Sequence, residues 1–212
     1  MKRPLKLGTR GSPLAVWQAR WTAGALQAAR AGLEVELVTI RTEAEKFPEK
    51  AVADIGSGVF TKEIDDALLR GDIDLAVHSL KDVPTDLPAG IVIAAVPERE
   101  SPLDAFISTD GVPLLQLVAG ARIGTGSPRR RSQILHRRPD FAVVPLRGNV
   151  ETRVARAREL GLAGTVLAHA GLKRLGKEDL ITHLIGPDVL LPAVGQGALA
   201  ICARAGDEAT LE

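Results

Sequence analysis

Two turns of nearly identical sequence each join an apolar run to a helical pattern, and they constrain the fold more than any other feature. The stretches Gly8–Gln18 and Gly124–Gln133 share Gly-Thr, then Gly-Ser-Pro, then glutamine six residues after the serine. Serine is a favourable helix N-cap and proline suits the first helical position, so chance recurrence of helix-start chemistry is one explanation. We favour two similarly built α/β lobes that face each other across a cleft, each with a helix N-terminus at the end of its first strand.

Short apolar runs alternate with helical patterns over most of the chain, which is typical of βαβ units and a largely parallel sheet. The sequence therefore predicts an α/β fold of two lobes, each a mainly parallel sheet flanked by helices, with a central cleft. The first lobe comprises residues 1–98 and, after the chain returns, residues 197–212, and the second comprises residues 99–196. A loop followed by a strand is predicted in the final segment LPAVGQGALAICARAG.

The individual elements follow from the same patterns. In the first lobe the predicted strands are LKLGT, LEVELVTI, IDLAVHS and GIVIAAV, and the predicted helices run from Leu14 to about Ala31 and from Thr61 to Arg70. Gly71 ends the second helix, and a loop covers residues 41–58. In the second lobe the predicted strands are ARIGT, FAVVPL and GTVLA, and the predicted helices are PRRRSQILHRR, VETRVARARELG and GLKRLG.

The distribution of charge favours a defined anionic ligand over a general polyanion. The formal net charge is +1 over 212 residues, yet residues 122–158 contain ten arginines and only two acids. Aromatic residues make up 3% of the chain and tyrosine is absent, so platforms for stacking nucleic-acid bases are scarce. A local basic patch in a near-neutral protein indicates a small anion and argues against a nucleic-acid partner.

Arginines occur near the predicted helix starts of both lobes, where unpaired N–H groups and the helix dipole already attract anions. Arg129 and Arg130 follow Pro128 directly, Arg147 follows a strand, and Arg10 lies in the equivalent turn of the first lobe. Because the planar guanidinium matches carboxylate and phosphate groups, we expect these four arginine side chains to contact a ligand.

A further first-lobe strand ends in polar groups, in the stretch DIDLAVHSLKDVP. Ligands bind at the carboxyl ends of parallel strands, so this end is a candidate site. Each residue also has a structural explanation: His78 as a hydrogen-bonded packing residue, Ser79 as a cap, and Asp82 as a turn residue. The alternative for Asp82 is chemical, because a single carboxylate in an arginine-rich cleft would stabilise a developing positive charge.

Other motifs are missing or incomplete. The segment GSGVFTKE lacks the ending of a phosphate-binding Walker loop, and the chain has no complete G-x-G-x-x-G, no H-E-x-x-H and no C-x-x-C pattern. Cys202 is the only cysteine and lies in an apolar strand, so we expect a buried, inert thiol and no metal site. The start MKRPLKLGTRGSP has no signal-peptide core and no run is long enough to cross a membrane, which indicates a cytoplasmic protein.

Seven segments, taken in order, resemble the porphobilinogen deaminase (hydroxymethylbilane synthase) family: TRGSPLAVWQA, FTKEIDDALL, DIDLAVHSLKDVP, ARIGTGSPRR, LRGNVETR, AGLKRLG and LPAVGQGALAI. The resemblance implies two α/β lobes like those of type II periplasmic binding proteins, plus a smaller third domain. It also implies condensation of four porphobilinogen molecules, with release of ammonia, to the linear tetrapyrrole hydroxymethylbilane of haem and porphyrin biosynthesis. In this family a dipyrromethane cofactor, joined to a cysteine by a thioether, primes the reaction.

The resemblance also assigns roles to particular residues. Asp82 matches the catalytic carboxylate, which hydrogen-bonds pyrrole N–H groups and stabilises the cationic azafulvene formed when ammonia leaves. The positions that bind cofactor or substrate carboxylates, or that position the chain, are matched by Arg10, Ser12, Ser79, Lys81, Thr125, Ser127, Arg129, Arg130, Arg147, Arg153 and Gln196. The expected partners are porphobilinogen and the growing polypyrrole chain, bound by a monomer, with no nucleic acid and no membrane.

The sequence departs from the family in two places. Where the family usually has arginine, aspartate and lysines, the loop after the second strand reads TEAE at 42–45 and the later turn reads DIGSG at 54–58, so no contacts are carried over from there. The chain ends at Glu212, so the third domain is expected to be absent or carried by a separate polypeptide, and Cys202 does not match the cofactor-bearing cysteine. Two alternatives stay open: a non-catalytic anion-binding two-lobe protein, and a short ATP phosphoribosyltransferase.

Overall fold

A computed structural model describes residues 3–42 and 61–211, so most of the loop predicted over 41–58 lies outside the described residues. The strands are β1 (Leu5–Thr9), β2 (Val35–Thr39), β3 (Leu75–Ser79), β4 (Ile91–Ala95), β5 (Asp104–Ser108), β6 (Arg122–Gly124), β7 (Ala142–Val144), β8 (Gly164–Ala168), β9 (His183–Ile185) and β10 (Leu199–Arg204). The α-helices are α1 (Pro13–Ala29), α2 (Lys62–Arg70), α3 (Pro128–Arg137), α4 (Val150–Glu159), α5 (His169–Arg174) and α6 (Glu208–Leu211).

The chain divides into two compact units, and each has its own five-stranded sheet. The first unit is Met1–Arg99 with Ala198–Glu212, and the second is Glu100–Gly197. The boundaries predicted from sequence lie one residue away at each junction. The strand order is β2-β1-β3-β10-β4 in the first sheet and β7-β6-β8-β5-β9 in the second, so the two units share one plan.

Four of the five strands in each sheet run in the same direction, which confirms the predicted mainly parallel α/β fold. β1 pairs in parallel with β2 and β3, and β6 pairs in parallel with β7 and β8. The reversed strands are β10, which is antiparallel to β3 and β4, and β5, which is antiparallel to β8 and β9. β5 and β9 were not predicted from the sequence, because short apolar runs without clear flanking signals are ambiguous.

The two similar turns both begin helices, as predicted. The Oγ of Ser12 accepts a hydrogen bond from the backbone N–H of Ala15 at 3.4 Å, and Pro13 occupies the first position of α1. The Oγ of Ser127 accepts from the backbone N–H of Arg130, also at 3.4 Å, with proline again at the first position of α3. Each serine thus satisfies one of the N–H groups that a helix start leaves unpaired.

Apolar packing covers both faces of the first sheet, because successive residues of a strand point to opposite faces. Leu75 and Val77 of β3 pack with Ala19 of α1 in one buried cluster. Ala76 packs on the other face with Ile64 of α2. The second unit has a comparable core around Phe106, Ile123 and Val166. No helix in the described part of the chain is both long and apolar enough to span a membrane.

Candidate anion-binding and catalytic site

In the first unit, the ends of β1 and β3 bring together residues that are distant in sequence. The two strands pair in parallel, with Leu7 opposite Leu75 and Gly8 opposite Ala76, so both strands end at the same edge of the sheet. The turn after β1 carries Arg10 and Ser12, and β3 ends at Ser79. This is the edge at which ligands bind in open parallel sheets.

A small pocket lies at this edge of the first unit. Its lining includes four of the predicted site residues, and the full set is Arg10, Ser12, Leu14, Ala15, Gln18, Val77, His78, Ser79 and Asp82. Nε2 of Gln18, which is buried on α1, donates a hydrogen bond to Oγ of Ser79 at 3.0 Å. The pocket therefore combines a guanidinium, hydroxyl groups and a carboxylate at the start of a 17-residue helix, a set that can hold an anion beside a positively charged group.

Asp82 owes its position to a short turn that follows β3 directly. Leu80–Asp82 form one turn of 3-10 helix, and the backbone N–H of Leu80 donates to the carbonyl of Ala198 at 3.0 Å. This hydrogen bond holds the backbone of the turn against the residue that precedes β10, so the polar side chains of the turn lie just beyond the end of β3. Lys81 belongs to the same turn and is exposed, whereas Asp82 is half-buried.

His78 points to the opposite face of the first sheet from Ser79, as the alternation along β3 requires. Its side chain is 3% exposed, and its Nε2 lies 3.7 Å from Oδ1 of Asp65 on α2. Within residues 3–42 and 61–211, Nε2 of His78 has no hydrogen-bond partner. The buried position agrees with the packing role predicted for His78, and Nε2 of its ring is left without a hydrogen bond among these residues.

In the second unit, the turn before α3 is built by its own hydroxyl groups. Oγ1 of the buried Thr125 accepts a hydrogen bond from the backbone N–H of Ser127 at 3.2 Å, and Ser127 in turn caps α3. Both predicted residues therefore lie at the helix N-terminus, where backbone donors gather.

Arg129, Arg130 and Gln196 converge on Asp104, a residue of β5 that the sequence analysis did not single out. Oδ2 of Asp104 accepts from Nη2 of Arg129 at 2.7 Å, and Oδ1 accepts from Nη2 of Arg130 at 2.6 Å. Oδ1 also accepts from Nε of Arg130 at 3.1 Å and from Nε2 of Gln196 at 3.0 Å. The side chain of Asp104 is fully buried, and its carboxylate accepts four hydrogen bonds. These bonds fix the side chains at the start of α3.

The charge state of Asp104 follows from these partners. Burial alone would raise the pKa of this carboxyl, but the guanidiniums of Arg130 and Arg129 outweigh burial and lower it below its ordinary value. Arg130 is itself buried, and its Nη1 donates to the carbonyl of Val166 at 3.0 Å. The guanidinium of Arg130 and the amide of Gln196 therefore donate hydrogen bonds inside the unit, and their contact with a ligand stays a prediction.

Arg129 keeps more contact with solvent than Arg130. Its side chain is 25% exposed, and its Nη1 donates to the backbone carbonyl of Leu191. Gln133, one turn further along α3, bonds the same residue through its side chain, accepting from the Leu191 N–H at 2.8 Å and donating to its carbonyl at 3.2 Å. Arg129 therefore joins Asp104 to the segment that follows β9.

Arg147 and Arg153 lie on the loop after β7 and at the start of α4. A methyl group added at Gly126 would lie 3.4 Å from Cγ of Arg147, so the Arg147 side chain packs against the turn that precedes α3. Nε of Arg153 donates to the carbonyl of Gly148 at 2.6 Å. The structure thus places Arg147 beside the Thr125–Ser127 turn, and it places Arg153 one turn into the neighbouring helix.

Cys202 is buried in the middle of β10, as predicted. Burial, together with a smaller effect of the nearby carboxylate of Asp65, raises the pKa of its thiol to about 12. A thiol in this state is a poor nucleophile and a poor metal ligand. In the described part of the chain, no group of three or more His, Cys, Asp or Glu side chains is placed to hold a metal ion.

Comparison with known proteins gives one family. The family model described as porphobilinogen deaminase, dipyromethane cofactor binding domain, matches residues 5–212. A relative named porphobilinogen deaminase from Syntrophotalea carbinolica is 51% identical over 209 residues, which cover 98% of this chain and 66% of the relative. The chain thus spans just under two thirds of the length of that relative.

The fold is similar to that of substrate-binding proteins of transporters. The probable amino-acid ABC transporter extracellular-binding protein ytmK from Bacillus subtilis has a TM-score of 0.62 at 9% identity, covering 100% of this chain and 88% of that one. An ABC transporter periplasmic substrate-binding protein from Coxiella burnetii has a TM-score of 0.54 at 14% identity, covering 98% and 88%. These likenesses show the fold alone, and they confirm the predicted periplasmic-binding-protein architecture.

Proposed function

This chain belongs to the porphobilinogen deaminase family, and on that premise we propose that it condenses four porphobilinogen molecules, with release of ammonia, into the linear tetrapyrrole hydroxymethylbilane. The observation that carries the proposal is the first-unit pocket, in which Asp82 shares a lining with Arg10, Ser12 and Ser79. This set supplies a carboxylate for a cationic intermediate beside donors for the substrate's own carboxylates.

Asp82 is the proposed catalytic residue. Loss of ammonia from porphobilinogen breaks a C–N bond and leaves an electron-poor azafulvene, which is a cation when protonated. A carboxylate held on a short turn can accept hydrogen bonds from pyrrole N–H groups and stabilise that positive charge. The free α-carbon of the next pyrrole then attacks the azafulvene and forms a C–C bond. Loss of the proton from that α-carbon restores the aromaticity of the ring.

The basic side chains are proposed to bind the acetate and propionate groups of the pyrroles. Each added ring brings two carboxylates, so Arg10, Arg129, Arg147 and Arg153 are candidates for bidentate contacts. Lys81, Ser79 and Ser12 would orient the rings beside Asp82, and Thr125 and Ser127 offer hydroxyl groups at the start of α3. For Arg130 and Gln196 we propose a supporting role, because their hydrogen bonds to Asp104 hold Arg129 in place.

The family model names a dipyrromethane cofactor, and the first-unit pocket fits its polar groups. The guanidinium of Arg10 suits the cofactor carboxylates, and the carboxylate of Asp82 suits its pyrrole N–H groups. When bound, the cofactor supplies the primer from which the polypyrrole chain grows. Cys202 does not fit as its attachment point, because the thiol is buried in β10 and its pKa is raised to about 12.

Porphobilinogen and the growing polypyrrole are the proposed partners, and action as a monomer in the cytoplasm remains an expectation. The substitution Asp82→Asn tests the mechanism, because it keeps the shape of the side chain and removes its charge. We expect ammonia release from porphobilinogen to fall about 10²- to 10³-fold, the range found when one charge-stabilising group is removed. Asp72→Asn is the matched control: Asp72 is an exposed residue of the same unit, paired with Arg70 at 2.8 Å, and its loss should leave the rate unchanged.

A wild-type rate in the Asp82→Asn variant would sink the proposed mechanism. Two further measurements separate catalysis from the anion-binding alternative. Intact-mass spectrometry shows whether the polypeptide carries a covalently attached dipyrromethane. Calorimetry with porphobilinogen shows binding, and binding without any ammonia release would favour a non-catalytic anion-binding protein.

A further inference from the structure

A buried acid and a buried histidine lie side by side in the first unit, and the histidine also lines the pocket. Asp65 of α2 and His78 of β3 are separated by 3.7 Å, and their side chains are 8% and 3% exposed. Nε2 of His78 has no hydrogen-bond partner among the described residues. Since a buried polar atom without a partner is costly, this pair invites a functional explanation.

Charged and titratable groups surround the pair on several elements. Arg10, from the turn after β1, lines the same pocket as His78 and repels a proton on its imidazole. On α2, Asp66 repels the charge of Asp65, while the hydroxyl of Thr61 hydrogen-bonds to Asp65. Two groups lie on other elements: Cys202 on β10 interacts with Asp65, and Asp82 lines the pocket together with His78. Glu63 is a further carboxylate of α2.

These surroundings shift the pKa values of both side chains of the pair. Burial, together with a smaller effect of the positive charge of Arg10, lowers the pKa of His78 to about 4. Burial raises the pKa of Asp65 to about 6; the hydrogen bond from Thr61 opposes this rise, and the charge of Asp66 adds to it. At neutral pH the imidazole is therefore neutral, and the carboxyl is the group that titrates nearest to physiological pH.

An anion at Arg10 would change this balance in one direction. It would cancel the positive charge that repels a proton from His78. It would also bring a negative charge into the pocket that His78 lines, and His78 lies 3.7 Å from Asp65. Both effects favour the protonated form, so both pKa values would rise. A rise in pKa on binding means that protons are taken up when the anion binds.

We propose that the Asp65–His78 pair takes up a proton when a carboxylate binds at Arg10, so that anion binding in the first-unit pocket is proton-linked. The inference rests on the proposed function for its ligand, since the carboxylates in question are those of porphobilinogen. Asp65 and His78 are positioning residues in this scheme, because they act on the bound anion through the charge at Arg10, although His78 also lines the pocket. Affinity for the anion is then expected to rise as the pH falls from about 8 towards 5, by about tenfold for each unit of pKa shift.

The first test needs no ligand. Replacing Arg10 by glutamine removes the same charge that a bound carboxylate would cancel. With ¹⁵N-labelled histidine and the variant His78→Gln to assign the signal, we expect the titration of His78 to move upward by about half a unit or more in Arg10→Gln. Arg20→Gln is the matched control, because Arg20 is an exposed arginine of α1 in the same unit, and there the titration should not move.

The second test uses porphobilinogen itself. Calorimetric titrations at pH 6 in two buffers of different ionisation enthalpy report the protons taken up on binding, and Asp65→Asn should reduce that uptake while binding persists. An unmoved His78 titration in Arg10→Gln overturns the coupling, and so does uptake that is unchanged in Asp65→Asn. Porphobilinogen that fails to bind at any pH overturns the proposed function instead, and the Arg10→Gln titration still decides whether the pair responds to charge at that position.

Discussion

At the residue scale, Asp104 changes the meaning of the basic cluster at the start of α3. Three residues predicted to bind a ligand donate hydrogen bonds to this one carboxylate. One of the two arginine charges is therefore balanced internally, and the pair presents a net charge near +1 instead of +2. A ligand carboxylate would then meet Arg129, whose guanidinium is already held by Asp104 and the Leu191 carbonyl, with little loss of side-chain entropy on binding.

The ion pair between Asp104 and Arg130 is expected to be essential for the stability of the second unit. Replacing Asp104 by leucine leaves the buried guanidinium of Arg130 without its counter-charge, which typically costs about 3 to 5 kcal/mol. Urea unfolding followed by circular dichroism measures this loss. The matched control is Asp140→Leu, which breaks the more exposed pair of Asp140 and Arg138 at 2.7 Å in the same unit.

For the control we expect a loss of only about 0.2 to 1 kcal/mol, as for surface ion pairs. Equal losses in the two variants would contradict the assignment of Asp104 as a buried organising charge.

Prediction from sequence at the residue scale used local chemistry and missed what depends on packing. Patterns at strand ends and helix starts, together with the family resemblance, pointed to Arg10, Ser12, Ser79 and Asp82. The structure places these four residues around one pocket, and their binding and catalytic roles stay predictions. Asp104 was missed, because an aspartate at the start of an apolar run looks like a turn residue until its partners, 25 and 92 residues away, are known. The contact between Asp65 and His78 was not predicted for the same reason, because it joins a helix to a strand and local patterns do not show such contacts.

At the scale of elements, a glycine near the end of the first parallel strand permits close packing in each unit. A Cβ at Gly8 would overlap Cδ1 of Ile73, and a Cβ at Gly124 would lie 2.5 Å from Cδ2 of Leu146. Both glycines precede the threonine of the repeated Gly-Thr pattern. The glycine of the repeated pattern is therefore required for packing, whereas the Ser-Pro pair is required for the start of the helix.

We expect Gly124→Ala to destabilise the protein by about 1 to 3 kcal/mol, because the added methyl group overpacks a buried strand. The matched control is Gly24→Ala, since Gly24 lies in α1 and a Cβ there meets no atom within 4 Å. That substitution should stabilise the protein by about 0.5 to 1 kcal/mol, because alanine is the better helix former. Chemical denaturation of both variants checks the two signs, and a neutral Gly124→Ala would show that Leu146 can move aside.

The direction of strands is the part of the fold that sequence patterns did not reveal. β10 was expected as a strand, but its antiparallel pairing with β3 and β4 is known only from the structure. β5 was not recognised as a strand, although it occupies the equivalent place in the second sheet. Hydrophobic periodicity reports which face of a strand is buried and carries no information on direction, so a reversed strand within a parallel sheet escapes it.

At the scale of the whole molecule, the two units repeat one plan with an exchange of strands at their junctions. The chain enters the second unit through β5, and it returns to the first unit through β10. Each entering strand takes the fourth place in its sheet and runs against the others. The chain's first lobe is therefore completed only by its last strand, so that residues 199–204 are needed before the core around Leu75 and Val77 can close.

The separate cores of the two units lead to a prediction about unfolding. Both tryptophans, Trp17 and Trp21, lie in α1 of the first unit, and the chain has no tyrosine. Fluorescence therefore reports the first unit alone, whereas circular dichroism reports the helices of both. Leu172 of the second unit is fully buried, and we expect Leu172→Ala to cost about 2 to 5 kcal/mol, lowering the urea midpoint seen by circular dichroism while the fluorescence midpoint stays in place.

The reciprocal variant is Leu68→Ala, which opens an equivalent cavity in the first unit, where Leu68 is also fully buried. This variant should also cost about 2 to 5 kcal/mol of unfolding free energy, and it should lower the urea midpoint seen by fluorescence accordingly. If Leu172→Ala moves the fluorescence midpoint as far as Leu68→Ala does, the units unfold as one cooperative body and the expectation of independent cores is wrong. If only circular dichroism responds, each lobe carries its own stability, and a change in one pocket need not weaken the other unit.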